Sequence, residues 1–186
     1  MQETSQPSDA AECSLSIVDA TQFSACFKDL CALYERSFQL PPYRRGAVEE
    51  RMKRHLDRAD FTASLVRNFD GSLAGFSYGF RGMEGDWWHQ RVRGNMSSAL
   101  ALQWMPDSFE IAEVAVDPDY QGRGIGAMLV DELRKTTTCH SVLLTVRIDN
   151  ARARRLYERL GFQELIDSLT FSGDDYPYAV MGFQND

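Results

Sequence analysis

Gln121-Gly122-Arg123-Gly124-Ile125-Gly126 is the stretch that decides the fold, because it joins a strand-like run to a helical pattern. The strand-like run is 109–116, and apolar residues at helical spacing follow over 124–135. Alternate glycines let several backbone N–H groups approach one ligand, and a helix N-terminus adds unpaired donors and a positive dipole end. This combination predicts a site for a phosphate-bearing ligand. The structural alternative is a tight turn whose glycines serve only close packing.

Length and composition limit the class of protein. The 186 residues fit one domain, and a hydrophobic fraction of 44% can fill a single core. Residues 1–13 are polar and aperiodic, so we expect a disordered tail there and one domain over 14–186. Twenty Lys and Arg against 27 Asp and Glu give a net charge of −7. This balance argues against a nucleic-acid partner, because that role needs a basic face.

Cysteine and histidine usage predicts no metal site. The four cysteines contain no C-x-x-C pair, and the three histidines are scattered. No apolar run approaches the roughly 20 residues of a membrane span, and no signal-peptide pattern is present. We therefore expect a reduced, cytoplasmic protein without a membrane partner.

Hydrophobic periodicity predicts strands and helices that mix along the chain. Asp70-Gly71 predicts a hairpin turn between two strands. Charges of both signs dominate 46–59, so the helix predicted there is expected to present a solvated face. The predicted strands are 15–18, 61–67, 73–80, 109–116, 141–147, 162–166 and 178–183, and the predicted helices are 23–38, 46–59, 124–135 and 150–160. Such a mixture is typical of one α+β domain.

Two interpretations remain open for the segment 82–105. Trp87-Trp88-His89 and the later Leu100, Leu102 and Trp104 could form a helix packed over the sheet or a mobile flap over a pocket. Buried packing is the commoner environment of tryptophan.

Two motifs of the chain resemble those of one enzyme family. The run 113–126, Glu-Val-Ala-Val-Asp-Pro-Asp-Tyr-Gln-Gly-Arg-Gly-Ile-Gly, resembles the acetyl-CoA signature of the GNAT superfamily of N-acetyltransferases, a Gln/Arg-x-x-Gly-x-Gly/Ala loop after a strand. The run 150–162, which contains Asn150, Ala153 and Tyr157, resembles the second motif of that family. Both motifs occur in the family's order, and the resemblance is specific over 109–162.

The resemblance implies a GNAT-like single α+β domain with a mixed, mostly antiparallel sheet of about seven strands. Helices would cover both faces, and strands 4 and 5 would splay apart. Acetyl-CoA, the cosubstrate, would lie in that cleft, with its pantetheine on the backbone of the strand, its diphosphate on the amides of 122–127, and one arm against Asn150; no metal is implied. The residues implied to bind it are Val114, Ala115, Val116, Gln121, Gly122, Arg123, Gly124, Ile125, Gly126, Ala127, Asn150 and Ala153.

The implied reaction is direct attack of a primary amine on the thioester. The amine must be neutral, so a base acting through water has to take its proton. A backbone N–H near Val114 is placed to stabilise the oxyanion. By resemblance Tyr157 lies near the CoA sulfur, and a tyrosine hydroxyl, with a reference pKa of roughly 10, can protonate the departing thiolate. A tyrosine on an apolar helix face is otherwise a core residue.

Two glutamates are candidates for the base. Glu110 matches the catalytic glutamate of histone acetyltransferases in the family, counted back from Gln121, whereas Glu113 is closer to the thioester end of the strand. Strict alternation sends these side chains to opposite faces unless a bulge intervenes. The structural alternative for each is a solvated or salt-bridged carboxylate.

The sequence leaves the amine acceptor open. Ribosomal-protein alanine acetyltransferases resemble this chain but carry a glutamate at the position of Thr145, whose hydroxyl is no base near neutral pH. This difference argues against transferring their peptide N-terminal specificity. A polyamine, aminoglycoside, amino acid or protein amine remains open, O-acetylation is not excluded, and a homodimer is suggested by analogy alone.

Two other function classes compete with an acetyltransferase. A non-catalytic CoA-binding regulatory module would use the same fold. A nicotinamide-dinucleotide-binding protein would use Gly122-x-Gly124-x-x-Ala127 with Asp149 downstream. Against it, residues 117–121 separate the strand from the first glycine, whereas the dinucleotide turn follows its strand directly.

Overall fold

The computed structural model describes residues 13–173 and 176–185. The predicted tail, 1–13, lies outside the described residues except for Cys13, and the domain boundary at residue 14 stays a prediction. The strands are β1 (Ser14–Val18), β2 (Thr62–Arg67), β3 (Leu73–Arg81), β4 (Ser108–Val116), β5 (Ser141–Arg147), β6 (Gln163–Thr170) and β7 (Pro177–Gln184). The helices are α1 (Ala20–Ala25), α2 (Phe27–Phe38), α3 (Arg45–Leu56), α4 (Trp87–Arg93), α5 (Ser98–Trp104), α6 (Ile125–Thr136) and α7 (Ala151–Arg159).

All seven strands form one sheet in the order β1-β2-β3-β4-β5-β7-β6. Strands β4 and β5 are parallel, and every other neighbouring pair of the described strands is antiparallel. The predicted mixed, mostly antiparallel α+β sheet is confirmed. A doubly wound dinucleotide fold is built on a mostly parallel sheet, so this architecture does not fit the nicotinamide alternative.

The turn between β2 and β3 forms where Asp70-Gly71 predicts it. Gly71 has φ +84°, a conformation that other residues adopt only with strain. The side-chain oxygen of Asn68 accepts a hydrogen bond from the backbone N–H of Ser72 at 3.0 Å. Local sequence therefore fixes this hairpin.

The predicted helix over 23–38 is two helices in the structure. A capping box of Asp19 and Gln22 starts α1, ahead of the apolar stripe. The backbone of Cys26, with φ −112° and ψ 22°, interrupts the helical geometry before α2. The apolar spacing continues across this break, which is why the two helices look like one in the sequence.

Helices cover both faces of the sheet, as predicted. On the first face, which we call the α6–α7 face, Val130 and Tyr157 pack with Val142. On the other, the α1–α5 face, Leu30 packs with Phe76 and Trp104 packs with Leu143. Each face thus has its own layer of buried side chains.

The segment 82–105 forms two short helices, α4 and α5, packed over the sheet. Trp104 is buried, and Trp88 packs against the same cluster. Trp87 is exposed, with its ring centroid 5.2 Å from that of Phe171. Of the two interpretations of this segment, the structure shows the packed helix.

Strands β4 and β5 separate after a short parallel ladder. They pair at three positions, over 108–110 of β4 and 141–143 of β5. Beyond these positions β4 continues to Val116 and β5 to Arg147. The predicted splay of strands 4 and 5 is therefore present, and it opens a cleft between their C-terminal ends.

Candidate functional site

The glycine loop presents a set of backbone donors beside this cleft. Gly122 and Gly124 have φ +86° and +85°, and Gly124 caps α6 without any side-chain hydrogen bond. In the described part of the chain, the amides of these two glycines and of Ile125, Gly126 and Ala127 make no hydrogen bond. The helix dipole adds positive potential at the same place. This arrangement can bind an anion such as a diphosphate.

Arg152 adds a cation to the loop. Its Nη1 donates to the Oε1 of Gln121 at 3.2 Å, and its Nη2 lies 3.6 Å from where a Cβ on Gly122 would stand. The Nη2 of Arg123, which lies within the motif, donates to the carbonyl of Asp119 at 3.1 Å. Arg152, from α7, therefore places a guanidinium beside the loop that the motif alone does not predict.

The end of β4 is tied to α2 just before the loop. The carbonyl of Val116 accepts hydrogen bonds from the Oγ of Ser37 at 3.0 Å and from the Nε2 of Gln121 at 3.1 Å. Asp117 is buried and pairs with Arg36, whose Nη2 lies 2.7 Å away. A pantetheine chain on β4 would therefore find this carbonyl already occupied, and would have to use other backbone groups of the strand.

Asn150 and Ala153 lie at the start of α7. The Oδ1 of Asn150 caps the helix by accepting a hydrogen bond from the N–H of Ala153 at 3.1 Å. The carboxamide oxygen thus has a structural role that the motif alone does not reveal. Its NH₂ group remains the part of the side chain that a ligand can use.

Tyr157 is buried in the α6–α7 layer, as its position on an apolar stripe predicts. Its ring centroid lies 5.9 Å from that of Phe162, and Val114 of the splayed part of β4 packs in the same cluster. Burial, helped by the negative charge of Glu113, raises the pKa of Tyr157 above its usual value near 10. The hydroxyl therefore stays protonated near neutral pH and can donate a proton.

A β-bulge places both candidate bases on the same face. Tyr78 pairs with Glu113 and Gly79 pairs with Ile111, so Ala112 is an extra residue on β4. Glu113 then contacts α3 and Glu110 contacts α4, both on the α1–α5 face. Without the bulge, the alternation of side chains along a strand would have put Glu110 and Glu113 on opposite faces.

Glu113 lies in a cluster of charged and phenolic groups. Its carboxylate accepts a very short hydrogen bond from the Nη2 of Arg51, which also donates to the hydroxyl of Tyr34 at 3.0 Å. The side chain of Glu113 is 12% exposed. Burial raises the pKa of Glu113, while Arg51 and the Tyr34 hydroxyl act in the opposite direction.

Glu110 is enclosed instead. Its side chain is 6% exposed, and its Oε1 lies 2.9 Å from the Nδ1 of His89, whose side chain is 5% exposed. Gly82 packs so closely that a Cβ there would stand 2.5 Å from the same oxygen. A water that relays protons has little room beside this carboxylate. Geometry therefore favours Glu113 over Glu110 as a group that can exchange protons with a substrate.

Sequence reasoning missed Arg51, Tyr34 and His89. Arg51 belongs to the helix that was expected to be a solvated face, but it follows the buried Val48 by three residues and precedes the buried Met52. That spacing places it on the inner side of the helix, and it was the available signal. Tyr34 lies within the helix predicted over 23–38, where nothing in the sequence marks its hydroxyl, and nothing in the sequence links His89 to Glu110.

The described residues contain neither a metal cluster nor a membrane-spanning helix. Within 13–173 and 176–185, no group of three or more His, Cys, Asp or Glu side chains could hold a metal ion. No helix among those residues is both long and apolar enough to cross a bilayer.

Comparisons with known proteins agree on one family. The sequence model of the "Acetyltransferase (GNAT) family" matches residues 27–162. The chain is 34% identical over 147 residues to a GCN5-like protein acetyltransferase of Mycobacterium tuberculosis, covering 74% of this chain and 71% of that protein. It is 41% identical over 75 residues to the ribosomal-protein alanine N-acetyltransferase of Escherichia coli K12, covering 38% of this chain and 50% of that protein.

Solved structures share the fold at low sequence identity. The ribosomal-protein alanine N-acetyltransferase of Escherichia coli superposes with a TM-score of 0.61 at 21% identity, covering 92% of this chain and 93% of that one. A mutant spermidine N-acetyltransferase of Vibrio cholerae superposes with a TM-score of 0.58 at 18% identity, covering 94% of each chain. Identities this low show a shared fold and nothing about the acceptor.

Proposed function

The chain belongs to the GNAT family of acetyltransferases and is an acyltransferase that acts on an amine; from this premise, we propose that it transfers acetyl from acetyl-CoA directly to a primary amine. In the proposal Tyr157 is the general acid and Glu113 is the base that acts through water. The observation that supports it is the separation of β4 from β5 beyond three paired positions: in the separated part of β4, Val114 packs in the same cluster as Tyr157, and Glu113 lies on the other face of the strand.

The cofactor is proposed to occupy the cleft with its diphosphate on the glycine loop. Five amides without a hydrogen bond in the described chain support this placement, as does the guanidinium of Arg152. The pantetheine would run along β4 past Val114, and the NH₂ group of Asn150 would contact the CoA arm. The remaining residues of the two motifs would shape the backbone around it.

The chemistry needs one proton removed and one delivered. Glu113, ionised, would take a proton from the ammonium or the attacking amine through a water molecule. The amine nitrogen then bonds to the thioester carbon, and a backbone N–H near Val114 would stabilise the oxyanion. When the carbon–sulfur bond breaks, the hydroxyl of Tyr157 would protonate the CoA thiolate.

The acceptor is proposed only as a primary amine. One relative is described as a protein acetyltransferase and one structural neighbour as a spermidine acetyltransferase. Thr145 occupies the place of the glutamate that is implied for ribosomal-protein alanine acetyltransferases, so their peptide specificity is not carried over. Assembly as a homodimer and a cytoplasmic location stay predictions.

The proposal is tested with labelled acetyl-CoA and a panel of amines. Acetyl-CoA binding is measured by calorimetry, and acetylated products are identified by mass spectrometry. We expect binding, an acetylated amine, and in Tyr157→Phe a loss of turnover of about 10²-fold or more with binding retained. As a control, Tyr43→Phe removes an exposed hydroxyl and is expected to behave as the native chain. Absence of acetyl-CoA binding, or full turnover in Tyr157→Phe, would contradict the proposal.

A further inference from the structure

The surroundings of Glu113 contain one permanent cation among the described residues. The groups that face this carboxylate are Tyr34 on α2, Arg51 on α3 and Tyr78 on β3, and Tyr157 on α7 lies within electrostatic range of it from the opposite face of the sheet. Behind them, the Nδ1 of His55 lies 3.0 Å from the hydroxyl of Tyr78. Among the described residues, Arg51 is the cation whose charge acts on Glu113.

Four of the five groups are neutral near neutral pH. Burial raises the pKa of Tyr34, Tyr78 and Tyr157, so all three phenols keep their protons. Burial and the neighbouring arginines lower the pKa of His55 to about 4, so its imidazole is uncharged. Arg51 alone remains charged, because a guanidinium does not lose its proton in this range.

The contact between Arg51 and Glu113 is directional as well as electrostatic. A single guanidinium nitrogen, Nη2, donates both to the carboxylate and to the hydroxyl of Tyr34. The side chain of Arg51 is 40% exposed, whereas that of Glu113 is 12% exposed. The cation thus keeps part of its hydration while it neutralises a carboxylate that has lost most of its own.

We infer that Arg51 is a positioning residue, whose guanidinium holds the largely buried carboxylate of Glu113 ionised and in one orientation. The inference rests on the proposed role of Glu113 as the base, since only then does its ionisation control turnover. Arg51 acts through Glu113 and takes no part in bond making. Its place on α3, 62 residues before its partner, makes it a contribution of the N-terminal helices to a site otherwise assembled from the two C-terminal motifs.

The sign of the effect follows from the charge. A carboxylate that loses the cation paired with it is harder to ionise, so its pKa rises. A base works only above its own pKa, so the acid limb of the kcat/KM profile moves to higher pH. In Arg51→Met we expect kcat/KM at neutral pH to fall by about tenfold or more and to recover as pH is raised, within the 10²–10⁴-fold that a general base contributes.

The experiment compares Arg51→Met, Arg51→Lys and the native chain. Arg51→Lys keeps the charge but not the planar guanidinium, so its profile is expected to lie between the other two. Arg45→Met is the matched control, because Arg45 starts the same helix and pairs with Glu35 at 3.0 Å, away from Glu113. Thermal melting of each variant establishes that it is folded. If Arg51→Met does not fold, the pH profile of Arg51→Lys provides the test.

A second readout separates this inference from the proposed function. The carboxyl carbon of Glu113 is titrated by NMR in ¹³C-glutamate-labelled protein and assigned by its absence in Glu113→Gln. An upward shift in Arg51→Met together with the moved acid limb supports both ideas. An upward shift with an unmoved limb supports the action of Arg51 on Glu113 but removes Glu113 as the base. An unchanged titration in Arg51→Met overturns the inference.

Discussion

The two faces of the sheet supply the candidate site in different ways. The α6–α7 face contributes backbone amides, a helix N-terminus and one phenol, all within 114–157. The α1–α5 face contributes side chains that reach β4 from helices far earlier in the chain: Arg36 to Asp117, Arg51 to Glu113, and His89 to Glu110. Local sequence encodes the first arrangement, whereas the second exists only after the chain has folded.

Within the α1–α5 face, Glu113 pairs with a partly exposed arginine and Glu110 with a buried histidine, so we predict that function depends on the two glutamates very unequally. In Glu113→Gln the base is lost, so kcat/KM should fall by about 10²–10⁴-fold and the acid limb of its pH profile should disappear. Glu110→Gln is the matched control on the same strand and face. It should lower the melting temperature, because buried His89 loses its carboxylate, but should keep the shape of the profile.

Steady-state rates of CoA release from pH 5 to 9, at amine concentrations well below KM, provide the measurement of kcat/KM. If Glu110→Gln removes the acid limb and Glu113→Gln does not, the enclosed pair is the catalytic one and the comparison between the two positions fails.

On the α6–α7 face the sharpest test is a pair of glycines with the same backbone. Gly124 has φ +85° and Gly71 has φ +84°, and a Cβ on either would meet no atom within 4 Å. Replacement by alanine should cost each variant about 1–2 kcal/mol of stability through backbone strain. In Gly124→Ala the loop amides would also be displaced. Since a hydrogen bond to a charged group is worth about 1.5–3 kcal/mol, affinity for acetyl-CoA should fall by roughly tenfold or more.

Calorimetric titration with acetyl-CoA and thermal melting together separate the two effects. Gly71→Ala is expected to lose stability alone. Equal affinities in the two variants would show that the glycine loop does not hold the cofactor.

A smaller effect is expected from the cation beside the loop. Because Arg152 is exposed, Arg152→Gln should weaken acetyl-CoA binding only a few-fold, equivalent to about 0.2–1 kcal/mol. The difference from the native chain should shrink as salt is added, since exposed charges are screened. Arg159→Gln, at the other end of α7, serves as the control. The measurement is the affinity for acetyl-CoA at two ionic strengths. A loss of affinity that does not depend on salt would indicate a structural role for Arg152.

Sequence alone predicted the structural features that depend on residues close together in the chain. The glycine loop, the Asp70-Gly71 turn and the seven strands follow from short-range rules of backbone geometry and side-chain periodicity. The mixed, mostly antiparallel pairing of the sheet and the splay of β4 and β5 came from the family resemblance. Both were confirmed.

What sequence did not predict are features that depend on tertiary packing. No residue type in β4 predicts the bulge at Ala112. This bulge determines the face of the sheet on which Glu113 lies. In the sequence, Arg51 is one of many charged residues on a polar helix. Only the packing of α3 on the sheet brings its guanidinium to Glu113. The role of the Val116 carbonyl was equally hidden, because its partner Ser37 lies on another element.

The shortness of the ladder between β4 and β5 has a mechanical consequence. Four antiparallel strands precede it and three follow it, so within the sheet two separately paired units meet along a seam of three residue pairs. A molecule wedged into the open end of that seam would touch both units at once. Its binding free energy would then resist their separation, by about 2.7 kcal/mol at a concentration of 100 times Kd. The bound cosubstrate would thus also stabilise the fold, and the chain would be most stable in the state that is ready to react.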